Sequence, residues 1–203
     1  MLMSTAAHAQ PDRAPPVTKL PDPHGGGELI RALRARKSSR AFSSAPIPEA
    51  QFSNLLWAAF GINRPETGGR TAPSAHGWQE IDVYAVRADG AYRYLAKSHA
   101  LERVVENDLR ALTGVQDFVG TAPLDLVYVA DFARMAHANA EERTFFAAAD
   151  AGVIAQNVYL YCASAGLATV VRGLMDRSKL APALGLRHEQ RIILAQTVGY
   201  PAG

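Results

Sequence analysis

The chain has one cysteine, Cys162, and that scarcity removes two classes of protein. A lone thiol forms no intrachain disulfide and builds no cysteine-rich metal cluster. No basic neighbour in the sequence lowers its pKa, so packing is the expected role. Excess charge is missing too. The 203 residues carry 21 Lys and Arg against 19 Asp and Glu, a net charge of +2. Nucleic-acid binding needs a broad basic face, which this balance does not supply. No run approaches the roughly 20 apolar residues that cross a bilayer. The histidines, His8, His24, His76, His99, His137 and His188, are scattered without His-x-x-x-His spacing, so no metal is expected. There is no Gly-x-Ser-x-Gly elbow, no Gly-x-Gly-x-x-Gly turn after a strand and no P-loop. Those absences argue against a serine hydrolase, a Rossmann site and a P-loop nucleotidase. The carboxylates show no evident catalytic pair.

What is present suits one domain with a real core. Residues 1–27 are expected to be a flexible tail and residues 28–203 the folded domain. Ala7-His8-Ala9 before Gln10 has the small-x-small form of a signal-peptidase site, but no positive n-region precedes it. It reads as a plain tail or as the end of an export signal that starts further upstream. The Pro-rich stretch Pro11–Pro23 fits a linker after cleavage. A periplasmic or exported location is therefore expected, with the cytoplasm as the alternative.

Helical spacing predicts helices over Glu28–Lys37, Glu49–Phe60, Leu101–Leu112, Glu141–Gly166 and Arg177–Leu184. Strands are expected over Ile81–Val86, Ala91–Leu95, Leu124–Ala130, Ala168–Val171 and Arg191–Gly199, with Asp89-Gly90 as a hairpin turn. Asn63–Gly77, rich in Gly, Pro, Ser and Thr, reads as a long loop. This order predicts an α+β fold with a mostly antiparallel central sheet, flanking helices and a long central helix. Ala147, Ala151 and Ala155 repeat along that helix, as do Ala148 and Gly152, so another helix can approach closely. Gln156 and Asn157 break its apolar pattern, as a core hydrogen bond or as part of an interface or site.

The run Arg36-Lys37-Ser38-Ser39-Arg40 sets three cations within five residues and closes on Phe42. It is either a solvated basic turn or a clamp for an anionic group, most plausibly a phosphate, since arginine's planar fork matches phosphate oxygens. With a Pro-Ser loop, a long small-residue helix and a strand ending at Arg172-Gly173, the set suits a protein holding a phosphorylated cofactor that does the chemistry itself.

The same motifs in order carry a resemblance. Arg36–Arg40 with Phe42, Leu55–Gly61 and Arg70–Ala75 resemble the nitroreductase family, nearest its SagB and thiazoline-oxidase-like branch. Asp150–Gly166, Val171-Arg172-Gly173 and Val198–Pro201 resemble its later segments, so the likeness spans about Glu28–Pro201. The resemblance implies an FMN oxidoreductase, usually a homodimer with sites at the interface. It implies Arg36, Lys37, Ser38 and Arg40 at the FMN phosphate and ribityl chain. Pro73, Ser74 and Ala75 would lie against the ring, often from the partner subunit. Val171, Arg172 and Gly173 would meet its N5 edge. Arg172 would stabilise the negative charge of the reduced flavin or point into solvent. No side chain is expected to act as acid or base.

The implied activity is ping-pong transfer from NAD(P)H through FMN to a small oxidant such as a nitroaromatic or quinone. The alternatives are a SagB-like dehydrogenase or oxidase of a heterocycle, a flavin-fragmenting enzyme, and a non-catalytic flavin-binding protein. Two features depart from the family pattern. Basic residues that often follow the last strand are absent, so Arg36 and Arg40 carry the phosphate alone or with Arg64 or Arg70. The ring loop reads Pro-Ser-Ala-His-Gly-Trp-Gln, which makes His76 and Trp78 candidates for the pocket, with packing the other reading for Trp78.

Overall fold

The computed structural model describes residues 27–202. The expected tail and export site lie outside the described residues. Two helices open the described residues, α1 (Gly27–Ala35) and α2 (Glu49–Phe60). Pro48 sits at the N-cap of α2, where a missing N–H costs nothing. Phe52, Leu55, Leu56, Ala59 and Phe60 form its buried stripe. Gly61 ends it by donating its N–H to the Trp57 carbonyl at 2.8 Å. A short hairpin, β1 (Ile62–Arg64) and β2 (Gly69–Arg70), lies within the predicted long loop.

Six strands form the main sheet: β3 (Ile81–Arg87), β4 (Gly90–Leu95), β5 (Ala100–Val105), β6 (Leu124–Asp131), β7 (Ala168–Arg172) and β8 (Gln190–Gly199). Their order is β5-β4-β3-β6-β8-β7, and each neighbouring pair is antiparallel. The central strand β6 is buried along its whole length. Leu124, Leu126, Tyr128 and Ala130 pack with α2 and the long helix α3 (Ala140–Ser164), while Val127 and Val129 pack with Leu180 and Leu184 around α4 (Arg177–Ala183). That is the period of two that a strand buried on both faces requires.

The helix α3 begins with a capping box, Asn139 and Glu142 each accepting the other's backbone N–H. Ala147, Ala151, Ile154, Ala155, Val158 and Cys162 face the core. Gly166, at φ 70, ends it. Among the described residues no helix is long and apolar enough to cross a membrane.

One predicted element is corrected. The stretch expected as a helix over Leu101–Leu112 holds strand β5 and only a single 3-10 turn, Arg110–Leu112. Leu101, Val104 and Val105 have helical spacing, but cross-strand pairing wins. Arg93 donates to Glu102 at 2.9 Å and Arg103 donates to the Tyr92 hydroxyl at 2.8 Å. The first helix also stops at Ala35 rather than Lys37, so the basic run lies beyond it.

Candidate active site

The basic run is extended, not a turn. Ser39 donates its N–H to the Thr169 carbonyl at 2.9 Å, laying residues 36–41 beside the edge strand β7. Phe42 then bridges to Pro201, and Ser43 donates to the Tyr200 carbonyl at 2.9 Å. Side chains alternate along extended backbone. Arg36, Ser38 and Arg40 therefore share one side, and Lys37 falls on the other. There Lys37 and Ser39 line a cavity of about 260 Å3 with Cys162, Gly166 and Pro201.

Tyr159 on α3 joins this segment to the end of β7. Its ring is buried, and the Arg36 guanidinium lies 5.4 Å from its centroid. Its hydroxyl is 2.8 Å from Ser38 Oγ and accepts the Val171 N–H at 3.0 Å. The outward N–H of Val171 is thus occupied, and by the same alternation Gly173 turns its N–H to that side one step on. Gly173 is exposed, and a Cβ there would meet nothing nearer than 3.9 Å. Tyr159 is a functional residue that the sequence did not single out. Its sequence signal was slight: one phenol on the small-residue face of a helix.

Arg172 takes neither of the side-chain positions expected of it. Its guanidinium is buried inside the sheet, donating to Asp125 at 2.7 Å, Thr197 Oγ1 at 3.0 Å and the Thr113 carbonyl at 2.7 Å. Gly114 lets it pass, because any Cβ there would collide with the guanidinium. Burial lifts the Asp125 carboxyl to about 6, and the Arg172 charge with bonds from Thr197 and Thr113 holds it down. Burial likewise lowers the Arg172 pKa, opposed by Asp125. The pair is a structural tie that fixes the strand end. The Phe118 ring lies 6.0 Å from the guanidinium and 5.2 Å from Phe42, linking that tie to the basic run.

Arg64 and Arg70, the candidate substitutes at the phosphate, are committed elsewhere. Arg70 donates to Gln79 Oε1 at 3.0 Å and to the Phe60 carbonyl at 2.9 Å, and Arg64 donates to the Arg70 carbonyl at 3.2 Å. Both brace the loop. Among the described residues neither Arg36 nor Arg40 has a carboxylate partner within 4 Å.

The Pro-Ser loop sits apart from the basic run. Ala75 donates its N–H to Asp150 on α3 at 2.8 Å. Asp150 and Tyr159 are nine residues apart (159 − 150), which is about 13 Å along the helix and half a turn around it. One chain thus joins Arg36, Ser38, Arg40, Val171 and Gly173, and leaves Pro73, Ser74 and Ala75 on another flank. His76 is exposed and Trp78 half-buried, their rings 4.5 Å apart and both within 6 Å of the Phe146 ring. Cys162 is buried, which pushes its thiol pKa up and makes it inert. Among the described residues no group of three ligating side chains could hold a metal.

Comparison with known proteins gives this arrangement its context. The profile of the nitroreductase family matches residues 33–200. The chain belongs to the nitroreductase family. A crystal structure of a candidate nitroreductase from Ralstonia eutropha JMP134 is 50% identical, with a TM-score of 0.84 over 91% of this chain and 88% of that one. A candidate nitroreductase of Methanocaldococcus jannaschii is 27% identical over 82% of this chain and 89% of its own length. The NADPH-flavin oxidoreductase of Vibrio harveyi is 27% identical over 85% of this chain and 65% of its own. A chain of the Escherichia coli microcin synthetase complex McbBCD shares the fold at 20% identity, with a TM-score of 0.78 over 98% of this chain and 79% of that one. This nitroreductase-family chain is accordingly a flavin-dependent oxidoreductase, with the α+β architecture expected from its sequence.

The donor set fits such a cofactor. Cations and a serine hydroxyl suit a phosphate. The outward amide of the open Gly173 suits the polar edge of a flat ring.

Proposed function

We propose that this protein holds FMN between the Arg36–Arg40 segment and the end of β7, and works as an NAD(P)H-dependent reductase of small oxidants such as nitroaromatics or quinones. Bound FMN would supply the chemistry, accepting a hydride from the nicotinamide and passing electrons to the oxidant in a second half-reaction. The single observation that carries this reading is the Tyr159 hydroxyl, which ties Ser38 to Val171 at 2.8 and 3.0 Å and so locks an anion-binding segment to a strand edge.

The chain's own groups then have separate tasks. Arg36, Arg40 and Ser38 bind the phosphate by charge-assisted hydrogen bonds. The amide of Gly173 would donate to the polar edge of the ring. Arg172 acts through Asp125 as a positioning residue and contributes its backbone alone. Lys37, on the opposite side of the segment, adds positive potential without direct contact.

The site is completed by a second copy of the chain. On α3, Phe145 is 65% and Val153 38% exposed, and Ala148, Ala149, Gly152 and Gln156 lie exposed beside them. Such a small-residue face admits a partner helix closely. Two copies packed there would bring the Pro73–Ala75 loop of one to the basic segment of the other, bridging the separation within a single chain. A Gly152→Arg variant should sediment as a monomer and lose FMN together; a monomeric variant retaining FMN at wild-type occupancy would show that one chain suffices.

The deciding test of function is an anaerobic titration of the yellow holoprotein with NADH and NADPH. Bleaching of the flavin band within the dead time of mixing is expected. A flavin left oxidised by both would instead favour a dehydrogenase of the thiazoline-oxidase type, the reading suggested by the fold shared with the microcin synthetase chain.

A further inference from the structure

The Pro-Ser loop is fastened by two buried carboxyl groups close enough to act on each other. Glu80 is fully buried and Asp150 nearly so, at 0% and 7% exposure. Glu80 Oε2 accepts the Ser74 hydroxyl at 3.2 Å, and Ser74 Oγ in turn accepts the Gln79 N–H at 2.8 Å. Asp150 Oδ2 accepts the Ala75 N–H at 2.8 Å. Glu80 Oε1 is buried and meets no donor. A buried carboxylate oxygen without a donor is costly, and a second carboxylate beside it makes it more so.

The backbone between these anchors is held in unfavourable conformations. His76 and Gln79 have φ of 52 and 47. A non-glycine residue adopts such angles only where its surroundings dictate them. The cations nearby do not relieve Glu80. Arg70 is turned to Gln79 Oε1 and the Phe60 carbonyl, and Arg134 to the Gln79 carbonyl and Asp82. Asp131 is paired with Arg187, and Arg143 donates to the Met135 carbonyl. His76 packs against Trp78 and Phe146. The charge acting on Glu80 is therefore that of Asp150.

We propose that Glu80 and Asp150 share one proton, and that this proton fastens the Pro73–Glu80 loop to α3. The shared proton supplies the donor that Glu80 Oε1 lacks and replaces a repulsion by a hydrogen bond. These are positioning residues: they set where the loop lies and touch no substrate. The inference concerns the chain alone and does not depend on the flavin assignment.

The pH dependence follows from the direction of the shift. Burial first, and the Asp150 charge after it, raise the Glu80 carboxyl from 4.5 to about 7. With the loop open and Glu80 in water, its pKa returns to the ordinary range. The closed form binds the extra proton, so closure is strongest in acid and weakens as pH rises through neutral. Linkage with these two values gives roughly a tenfold rise in the opening equilibrium between about pH 6 and pH 8.5.

Amide hydrogen exchange on the full chain, corrected for intrinsic rates, reads this opening at residues 75–79. The wild type should open about tenfold more at pH 8.5 than at pH 6. Glu80→Gln, which mimics the protonated acid, should stay at the low-pH level throughout. Asp150→Asn should show a smaller rise than the wild type, because its amide still accepts from Ala75 and can donate to an ionised Glu80, while burial still favours the protonated acid. A wild type with no rise, or either variant showing the same rise, overturns the shared proton; if one variant does not fold, the other decides. The readout is the exchange of the chain's own amides, so a failure to bind flavin leaves this test intact.

Discussion

The Arg36–Arg40 segment and the Pro73–Glu80 loop are both irregular backbone braced against α3, but they are braced in opposite ways. The basic segment keeps its cations toward solvent and spends its backbone on neighbours, as in the Ser39 N–H to the Thr169 carbonyl. The loop turns its acids inward and spends side chains to hold a strained backbone. One surface is prepared for a ligand of opposite charge. The other satisfies itself, and depends on a proton to do so. A site assembled from both would combine a preformed clamp with an adjustable cover.

The largest test of that contrast is the double variant Arg36→Ala with Arg40→Ala. Each charge-assisted hydrogen bond to phosphate contributes about 1.5–3 kcal/mol, so FMN affinity should fall at least roughly 100-fold. Folding stability should fall by no more than about 1 kcal/mol, the contribution of Arg36 over the Tyr159 ring, because neither side chain has a carboxylate partner among the described residues. Fluorescence titration with FMN and urea denaturation read the two quantities. Affinity within a factor of three of wild type would place the phosphate elsewhere.

Arg172→Ala should invert that pattern. Removing one partner of a buried ion pair leaves Asp125 uncompensated and costs about 3–5 kcal/mol of stability. Asp125→Leu with Arg172→Leu should recover most of the loss. If Arg172→Ala instead leaves stability intact and abolishes flavin binding, the guanidinium belongs to the ligand site after all.

The contrast also explains what could be read from the residues in order. Helices α2 and α3, five of the six strands of the main sheet and the basic run were legible because each is a local pattern: an apolar stripe, an alternation, a cluster of charge. Strand β5 was not, since Leu101, Val104 and Val105 satisfy a helical period, and only pairing with β4 reveals the strand. The burial of Arg172 was not legible because its partners Asp125 and Thr197 lie 47 and 25 residues away. Glu80 and Asp150 passed unnoticed for the same reason, although a single acid within Ala147–Ala151 was a hint that something polar awaited it. Side chains whose partners are distant in sequence are invisible until the sheet brings them together.

Tyr159→Phe probes the joint between the basic segment and the strand end. The Val171 N–H loses its acceptor and Ser38 its partner, at a cost of about 1–3 kcal/mol. That loss should divide between stability and FMN affinity, a behaviour that neither preceding variant shows. An effect confined to stability would mean that the segment finds its place against Thr169 without help from the phenol.

The smallest expected effect belongs to Ser74→Ala, and its sign is the informative part. The hydroxyl accepts from Gln79 and donates to Glu80, and removing it costs about 1 kcal/mol in favour of the open loop. Exchange of the loop amides should therefore quicken about fivefold at acid pH. The bond to Ser74 also lowers the Glu80 pKa. Without it Glu80 holds its proton to a higher pH, so the midpoint of opening should move upward even as the baseline rises. Those two shifts are separable in one pH series of exchange rates. A raised baseline with an unmoved midpoint would mean that Ser74 steadies the loop through Gln79 alone, and that Glu80 and Asp150 set the titration between themselves.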